Sequence, residues 1–163
     1  MINEEIKRFY KEEYAIGLKA LEMINQHYQI KLPNDEASSI AFHLINASEG
    51  SELNDSVKIM QGVNDILAIV ETDLGTKLNE ESLDYSRFII HLKFFMKKVL
   101  FNVGFTDNSV NNVIYSELIR ENELLVNCMA HIKKYIEQKY SYTPSSEDCL
   151  YLMIHIVKIK SIQ

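Results

Sequence analysis

Apolar residues recur three and four positions apart along nearly the whole chain, which is the spacing of an amphipathic helix. Only 2 prolines and 5 glycines occur among the 163 residues, so few positions break a helix. The pattern predicts helices over residues 3–27, 35–46, 56–71, 80–101, 109–139 and 146–160. A polar linker, residues 47–56, is predicted between the second and third of these helices. The fold class is therefore all-α.

The composition is that of a soluble globular protein. Hydrophobic residues make up 47% of the chain, which is enough for a core. Residues 1–50 carry 5 basic and 8 acidic side chains and residues 51–163 carry 12 and 15, so no basic cluster attracts nucleic acid. We expect a cytoplasmic protein without membrane insertion, because no apolar run approaches the roughly 20 residues that a transmembrane helix needs.

A histidine closes the apolar run of PNDEASSIAFHL, residues 33–44. A lone histidine on an apolar helix face is most often a core residue. A weak internal repeat changes this interpretation of His43, because an offset of 112 residues pairs it with His155. The offset also superposes identical residues, namely Ile24 on Ile136, Gln26 on Gln138 and Tyr28 on Tyr140. The repetition favours a functional histidine at both positions.

The same repeat predicts the domain organisation. A unit of about 110 residues fits once in full, over residues 52–163, while residues 1–51 match only its C-terminal part. In both copies two acids open a helix, and a histidine follows seven residues, or about two helical turns, after the second acid. The acids are Asp35 and Glu36 before His43, and Glu147 and Asp148 before His155. They either orient an imidazole through its second nitrogen or complement the helix dipole.

A third histidine, His91, lies in the middle of YSRFIIHLKFFMKKVLF. Arg87 precedes it by four residues, so the guanidinium lies on the same helix face and could bind a phosphoryl group. Alternatively, Arg87 simply pairs with Asp84 or Glu81. We expect His91 and His155 to approach each other, because a surface built from two helices then uses both imidazoles together with the arginine.

Four segments carry a family resemblance, namely YKEEYAIGLKALEMI, LPNDEASSIAFHLINA, NEESLDYSRFIIHLKFF and SSEDCLYLMIHI. Together they resemble the phosphotransferase-system (PTS) regulation domain, or PRD, of the antiterminator family that includes BglG, SacY and LicT. The resemblance covers essentially the whole chain and implies compact helical bundles with two regulatory histidines each. His43 resembles the second histidine of a first domain, and His91 and His155 resemble the first and second of the next.

The resemblance also implies a mechanism and partners. Phosphorylated HPr would supply the phosphoryl group to the second domain, and a sugar-specific EIIB component would supply it to the first. Phosphorylation would change the pairing of domains in a homodimer, and thereby the activity of an RNA-binding domain that this sequence lacks. Histidine suits such a switch because its neutral imidazole is nucleophilic near pH 7.

The residues alone offer no catalytic motif and leave two other classes of protein open. The chain has no HExxH motif, glycine-rich phosphate loop or nucleophile–base spacing, so we expect neither an enzyme nor a bound cofactor or metal. A phosphorelay transfer module would also place a histidine within a helix, but it predicts one reactive histidine and no repeat. A purely structural helical dimerisation domain needs no chemistry at all. We interpret Phe88, Phe94, Phe95 and Phe101 as core, with a dimer interface as the alternative, and His27 and His131 as solvated.

Overall fold

A computed structural model describes residues 2–49, 53–102, 120 and 122–160, and its elements are all helices. We number them α1 (Ile2–Phe9), α2 (Lys11–Tyr28), α3 (Asp35–Glu49), α4 (Leu53–Leu74), α5 (Leu83–Phe101), α6 (Glu123–Tyr140) and α7 (Ser146–Lys160). The all-α prediction is confirmed. The bounds of α7 are those that the sequence predicts, whereas residues 109–119 of the preceding predicted helix lie outside the described residues.

The first predicted helix is divided at Tyr10, where the backbone adopts φ −133° and ψ 55°. Phe9 and Tyr10 are both buried, at 5% and 4% exposure. Successive residues of a straight helix point about 100° apart, so a kink lets both aromatic rings face the interior. The predicted linker at residues 47–56 is also shorter than expected, because α3 continues to Glu49 and α4 begins at Leu53.

The chain divides into two compact units, residues 1–60 and 61–163. In the first unit α1, α2 and α3 pack against one another. Their buried apolar residues include Ile6, Phe9, Leu21, Ala37, Ala41 and Ile45. Gly17 of α2 lies so close to α3 that a Cβ there would collide with the carbonyl oxygen of Ala37. Glycine thus permits the close approach of these two helices.

In the second unit α7 packs against both α5 and α6. Its core contains Phe88, Leu92, Met96, Ile132, Ile136, Leu152 and Ile156. The interpretation of the α5 phenylalanines as core holds for Phe88 and Phe95 only, because Phe94 is 65% exposed and Phe101 is 43% exposed. One side of α5 therefore anchors the unit while the other presents apolar side chains to solvent.

The close approach of α2 and α3 gives a prediction about stability. Glycine to alanine inside a helix usually stabilises by about 1 kcal/mol. Gly17→Ala is expected instead to destabilise the protein by about 1–3 kcal/mol, because backbone of α3 must move. Gly62→Ala is the matched control, since its added Cβ would meet only the flexible Met96 side chain. Urea unfolding of both variants measures the difference, and an equal loss of stability in the two would contradict it.

Candidate functional site

His91 and His155 meet where α5 packs on α7. Their ring centroids lie 4.2 Å apart with the ring planes inclined by 31°. The predicted approach of the two histidines is thus confirmed. The two rings differ in environment, because His91 is exposed to solvent whereas His155 is only 9% exposed.

His155 is held in an apolar setting that favours its neutral form. The ring of Phe88 stacks beside it at 6.2 Å between centroids, and its buried Nδ1 has no hydrogen-bond partner. Burial, with the nearby His91, Lys158 and Arg87, lowers the pKa of His155, and Asp84 opposes this effect only in part. A neutral imidazole keeps a nitrogen lone pair, which is the form that a nucleophile or a phosphoryl acceptor requires.

Arg87 lies one helical turn before His91, and in this structure it is paired. Its guanidinium is 3.6 Å from the Asp84 carboxylate, which is the alternative that the sequence left open. The Arg87 side chain is 62% exposed, so the pair contributes little to stability. The guanidinium therefore lies beside the histidine pair and is weakly held.

Asp148 begins α7 in a reciprocal cap. Its carboxylate accepts hydrogen bonds from the Ser145 backbone N–H at 2.9 Å and the Ser145 hydroxyl at 2.8 Å, while its own N–H donates to Ser145 Oγ at 3.2 Å. This is a capping box, which satisfies backbone donors at the start of a helix. The Tyr142 hydroxyl donates to the same carboxylate at 3.3 Å.

The other oxygen of Asp148 receives Lys98 Nζ of α5 at 2.8 Å. Burial raises the pKa of Asp148, but the hydrogen bonds from Lys98 and Ser145 outweigh burial and hold that pKa below its usual range. The carboxylate is consequently charged at neutral pH, and it links α5 to the first turn of α7 through an ion pair that is largely shielded from solvent.

A cleft of about 170 Å³ joins this ion pair to His91. Its lining residues are His91, Phe94, Phe95, Lys98, Asp148, Tyr151 and Leu152. The exposed ring of His91 therefore shares a small, mostly aromatic recess with one cation and one anion. His155 contacts His91 but does not line the cleft itself.

The remaining predicted site residues are more dispersed. His43 lies on α3 and is exposed, so it is not the core histidine that its apolar surroundings first suggested. Asp35 and Glu36 are exposed in the first turn of α3, and Glu147 is half-buried. Among the described residues, none of the four predicted acids hydrogen-bonds to an imidazole, and for Asp148 the helix-capping interpretation is the one observed.

The two other histidines differ from each other. His27 is exposed and makes an edge contact with the ring of Tyr28, with 4.7 Å between centroids. His131 is also exposed, but its Nδ1 lies 2.9 Å from an oxygen of Asp73, so it is paired rather than simply solvated. Neither histidine lines the cleft at His91.

Sequence reasoning missed Lys98, Ser145 and Tyr142 as parts of the site. One signal was present, because Ser145 and Asp148 have the spacing of a capping box. Lys98 follows His91 by seven residues, which is the same two-turn spacing that drew attention to the acids. Its pairing with Asp148 joins residues 50 positions apart in the chain, which periodicity does not predict.

Two structural features are absent from the described part of the chain. No group of three or more His, Cys, Asp or Glu side chains is arranged there to hold a metal ion. None of its helices combines the length and the apolar character that crossing a membrane requires.

The fold and the paired rings define an all-α domain with a two-histidine site. The family model for the PRD domain matches residues 2–47 and 64–159. The chain belongs to the PRD domain family, which confirms the resemblance seen in its sequence.

Relatives are found among transcription antiterminators. The chain is 38% identical over 155 residues to the transcription antiterminator LicT of Bacillus subtilis (strain 168). The aligned region covers 95% of this chain and 55% of that protein. It is 36% identical over 159 residues to the beta-glucoside operon antiterminator of Dickeya chrysanthemi, covering 96% and 55%. The GlcA/glcB genes antiterminator of Staphylococcus carnosus (strain TM300) is 27% identical over 152 residues. The chain thus spans about half the length of the curated relatives it matches.

The buried position of His155 gives a prediction about pH. Folding lowers its pKa below the usual 6.5, so below pH 6.5 the unfolded chain binds a proton that the folded chain resists. The free energy of unfolding is therefore expected to fall as the pH drops below 6.5, until the lowered pKa is reached. His155→Leu removes this contribution, and urea unfolding of both proteins from pH 7.5 to 5 measures it. Parallel pH dependences would contradict the prediction.

Proposed function

We propose that this chain is the regulatory part of a transcription antiterminator and is controlled by reversible phosphorylation of histidine. The observation that carries the proposal is the pair His91 and His155, with 4.2 Å between ring centroids. The names of the relatives support it, since each describes an antiterminator. RNA binding would be the task of another part of the full protein.

In the proposed reaction His91 is the acceptor that a donor protein reaches first, because its ring is exposed. A ring nitrogen of His91 forms a bond to phosphorus while the phosphorus–nitrogen bond of the donor phosphohistidine breaks. The acceptor ring loses a proton and the donor ring gains one. His155 is the second acceptor, since it is neutral and no hydrogen bond occupies its Nδ1. Arg87 would then bind the phosphoryl oxygens after leaving Asp84.

We propose that residues 1–51 are the C-terminal part of a first PRD and that residues 52–163 are a complete second one. The repeat supports this division, because residues 1–51 match only the C-terminal part of the repeated unit. Exposure at equivalent positions agrees with it, since Leu44 is 38% exposed whereas its counterpart Ile156 is 1% exposed. An incomplete bundle would leave apolar side chains such as Leu44 uncovered.

Two donor proteins would phosphorylate the chain, and packing between its helices would change in response. Phosphorylated HPr serves His91 and His155, and a sugar-specific EIIB component serves His43. The chain acts in the cytoplasm as part of a homodimer, and it accepts phosphate rather than catalysing a reaction of its own. Adding about two negative charges at the α5–α7 junction changes packing there, as in other phosphoryl switches.

Phosphorylated HPr tests the proposal directly. The chain is expected to take up phosphate from HPr charged by enzyme I and phosphoenolpyruvate, and peptide mapping is expected to find it on His91 and His155. His91→Ala is expected to abolish most of the labelling, because the buried ring is harder to reach. His131→Ala is the matched control, since this exposed histidine lies away from the cleft, and it should be labelled like the parent.

Two other results would favour the rival classes of protein. Labelling by a phosphorylated response regulator but not by HPr would indicate a phosphorelay module. No labelling by either donor would leave a structural dimerisation domain. Equal loss of labelling in His91→Ala and His131→Ala would contradict the assignment of the site.

His43 is tested by a charge that mimics the phosphoryl group. His43→Asp is expected to change the oligomeric state or subunit arrangement while helix content stays constant, because the side chain is exposed and carries no core packing. Light scattering after size exclusion and circular dichroism measure the two properties, with His43→Leu as the uncharged control. If His43→Asp unfolds the protein while His43→Leu is more stable than the parent, the proposed regulatory role of His43 is wrong.

A further inference from the structure

We propose that the ion pair of Lys98 and Asp148 is an exchangeable link: when His91 carries a phosphoryl group, Lys98 leaves Asp148 and binds the phosphoryl oxygens. The inference rests on the proposed phosphorylation of His91 and adds Lys98 to Arg87 as a second cation that binds the phosphoryl oxygens. It also predicts that phosphorylation loosens the attachment of α7 to α5, because Lys98 is on α5 and Asp148 lies in the first turn of α7.

The cleft at His91 contains the two charges that such an exchange needs. Among its lining residues Lys98 is the cation and Asp148 the anion. Lys98 follows His91 by two helical turns on α5, about 10 Å along the axis. Helical side chains lean toward the N-terminus, so the Lys98 side chain leans toward His91. Its ammonium stays charged, since burial lowers its pKa but the bond to Asp148 outweighs burial and raises it above 10.5.

Electrostatics favour the exchange once the phosphoryl group is present. A phosphoryl group brings about −1.5 to −2 charges, against the single negative charge of a carboxylate. Asp148 repels that group within the same recess, whereas Lys98 attracts it. The cation therefore has a stronger partner in the phosphorylated protein than in the unphosphorylated one.

Asp148 keeps most of its hydrogen bonds when it loses Lys98. Its Oδ2 still accepts hydrogen bonds from the Ser145 N–H, the Ser145 hydroxyl and the Tyr142 hydroxyl. The capping box therefore survives, and these bonds offset part of the cost of separating the ion pair, while Oδ1 loses the hydrogen bond from Lys98. What is lost is the link between α5 and the first turn of α7, so the loop of residues 141–145 before that turn is loosened.

Arg87 is less suited than Lys98 to change how the helices are attached. It is 62% exposed, and its partner Asp84 lies three residues away on the same helix. Breaking that pair changes nothing between helices. Lys98 joins two helices, so its departure alters their attachment as well as neutralising the phosphate.

The test uses the full chain phosphorylated at His91 by two donors, HPr and the small molecule phosphoramidate. With phosphoramidate the phosphorus–nitrogen bond of the reagent breaks, ammonia leaves, and the imidazole nitrogen forms the new bond. Two properties are measured. They are the pKa of the phosphoryl group by ³¹P NMR and hydrogen exchange of the amides in residues 141–145.

In the parent, phosphorylation is expected to speed exchange in residues 141–145 several-fold. Lys98→Met is expected to raise the phosphoryl pKa by about 1 unit, because a neighbouring cation favours the charged form. In that variant the amides of residues 141–145 should already show fast hydrogen exchange before phosphorylation, and phosphorylation should not make it faster. Lys98→Arg should restore both properties. Lys97→Met is the matched control. It removes one positive charge from the residue that precedes Lys98 on α5, and Lys97 does not line the cleft.

The results separate the two proposals. Labelling of His91 by phosphoramidate but not by HPr, with the Lys98 effects present, overturns the proposed function alone. If both donors label His91 and the phosphoryl pKa is equal in Lys98→Met and Lys97→Met, the exchange alone is overturned. If neither donor labels His91, both proposals are overturned. If Lys98→Met does not fold, Asp148→Asn replaces it. That variant should have a loosened loop before phosphorylation and a phosphoryl pKa no higher than in the parent, and a protected loop would refute the exchange.

Discussion

The packing of α7 against α5 is the constraint on which the site depends. Each helix contributes side chains that are almost completely buried, such as Phe88 and Leu92 from α5 and Leu152 and Ile156 from α7. Burying one such side chain contributes about 1.5–3 kcal/mol, so a handful of them outweighs any single polar contact at the junction. The apolar surface holds the two helices together. The histidines and the ion pair are therefore minor contributors to the packing of these two helices.

The packing of α7 on α5 also accounts for the difference between the two histidines. His155 occupies the buried side of the junction, where its lowered pKa keeps it neutral, and His91 occupies the edge, where a partner can reach it. In the proposed phosphorylation, a phosphoryl group on His91 would stand beside this buried neutral neighbour. Because His155 lies in an apolar setting, even a single added charge there would have a large local effect.

Periodicity was sufficient to predict what depends on local spacing. The bounds of α7 follow from helical spacing and from the polar residues that open the helix. The approach of His91 to His155 was expected for a different reason, because a surface built from two helices would use both imidazoles. The kink at Tyr10 does not follow from helical spacing, because it arises from two successive aromatic residues competing for one interior. The pairing of Lys98 with Asp148 was also beyond prediction, since it depends on how α5 and α7 are arranged in space. Local rules thus predicted the helices, a chemical argument predicted the histidine pair, and tertiary packing determined the charges around it.

The two copies of the repeat show how far a shared pattern fixes a shared environment. His43 and His155 follow an acid by the same seven residues, yet one is exposed and the other is 9% exposed. In the second unit α5 supplies both the aromatic neighbour Phe88 and the partner ring His91. The first unit, as described, offers His43 no such ring contact. The histidine-bearing helix therefore supplies the proposed phosphoryl acceptor in each copy, and a second, facing helix decides whether that ring is enclosed or open to solvent.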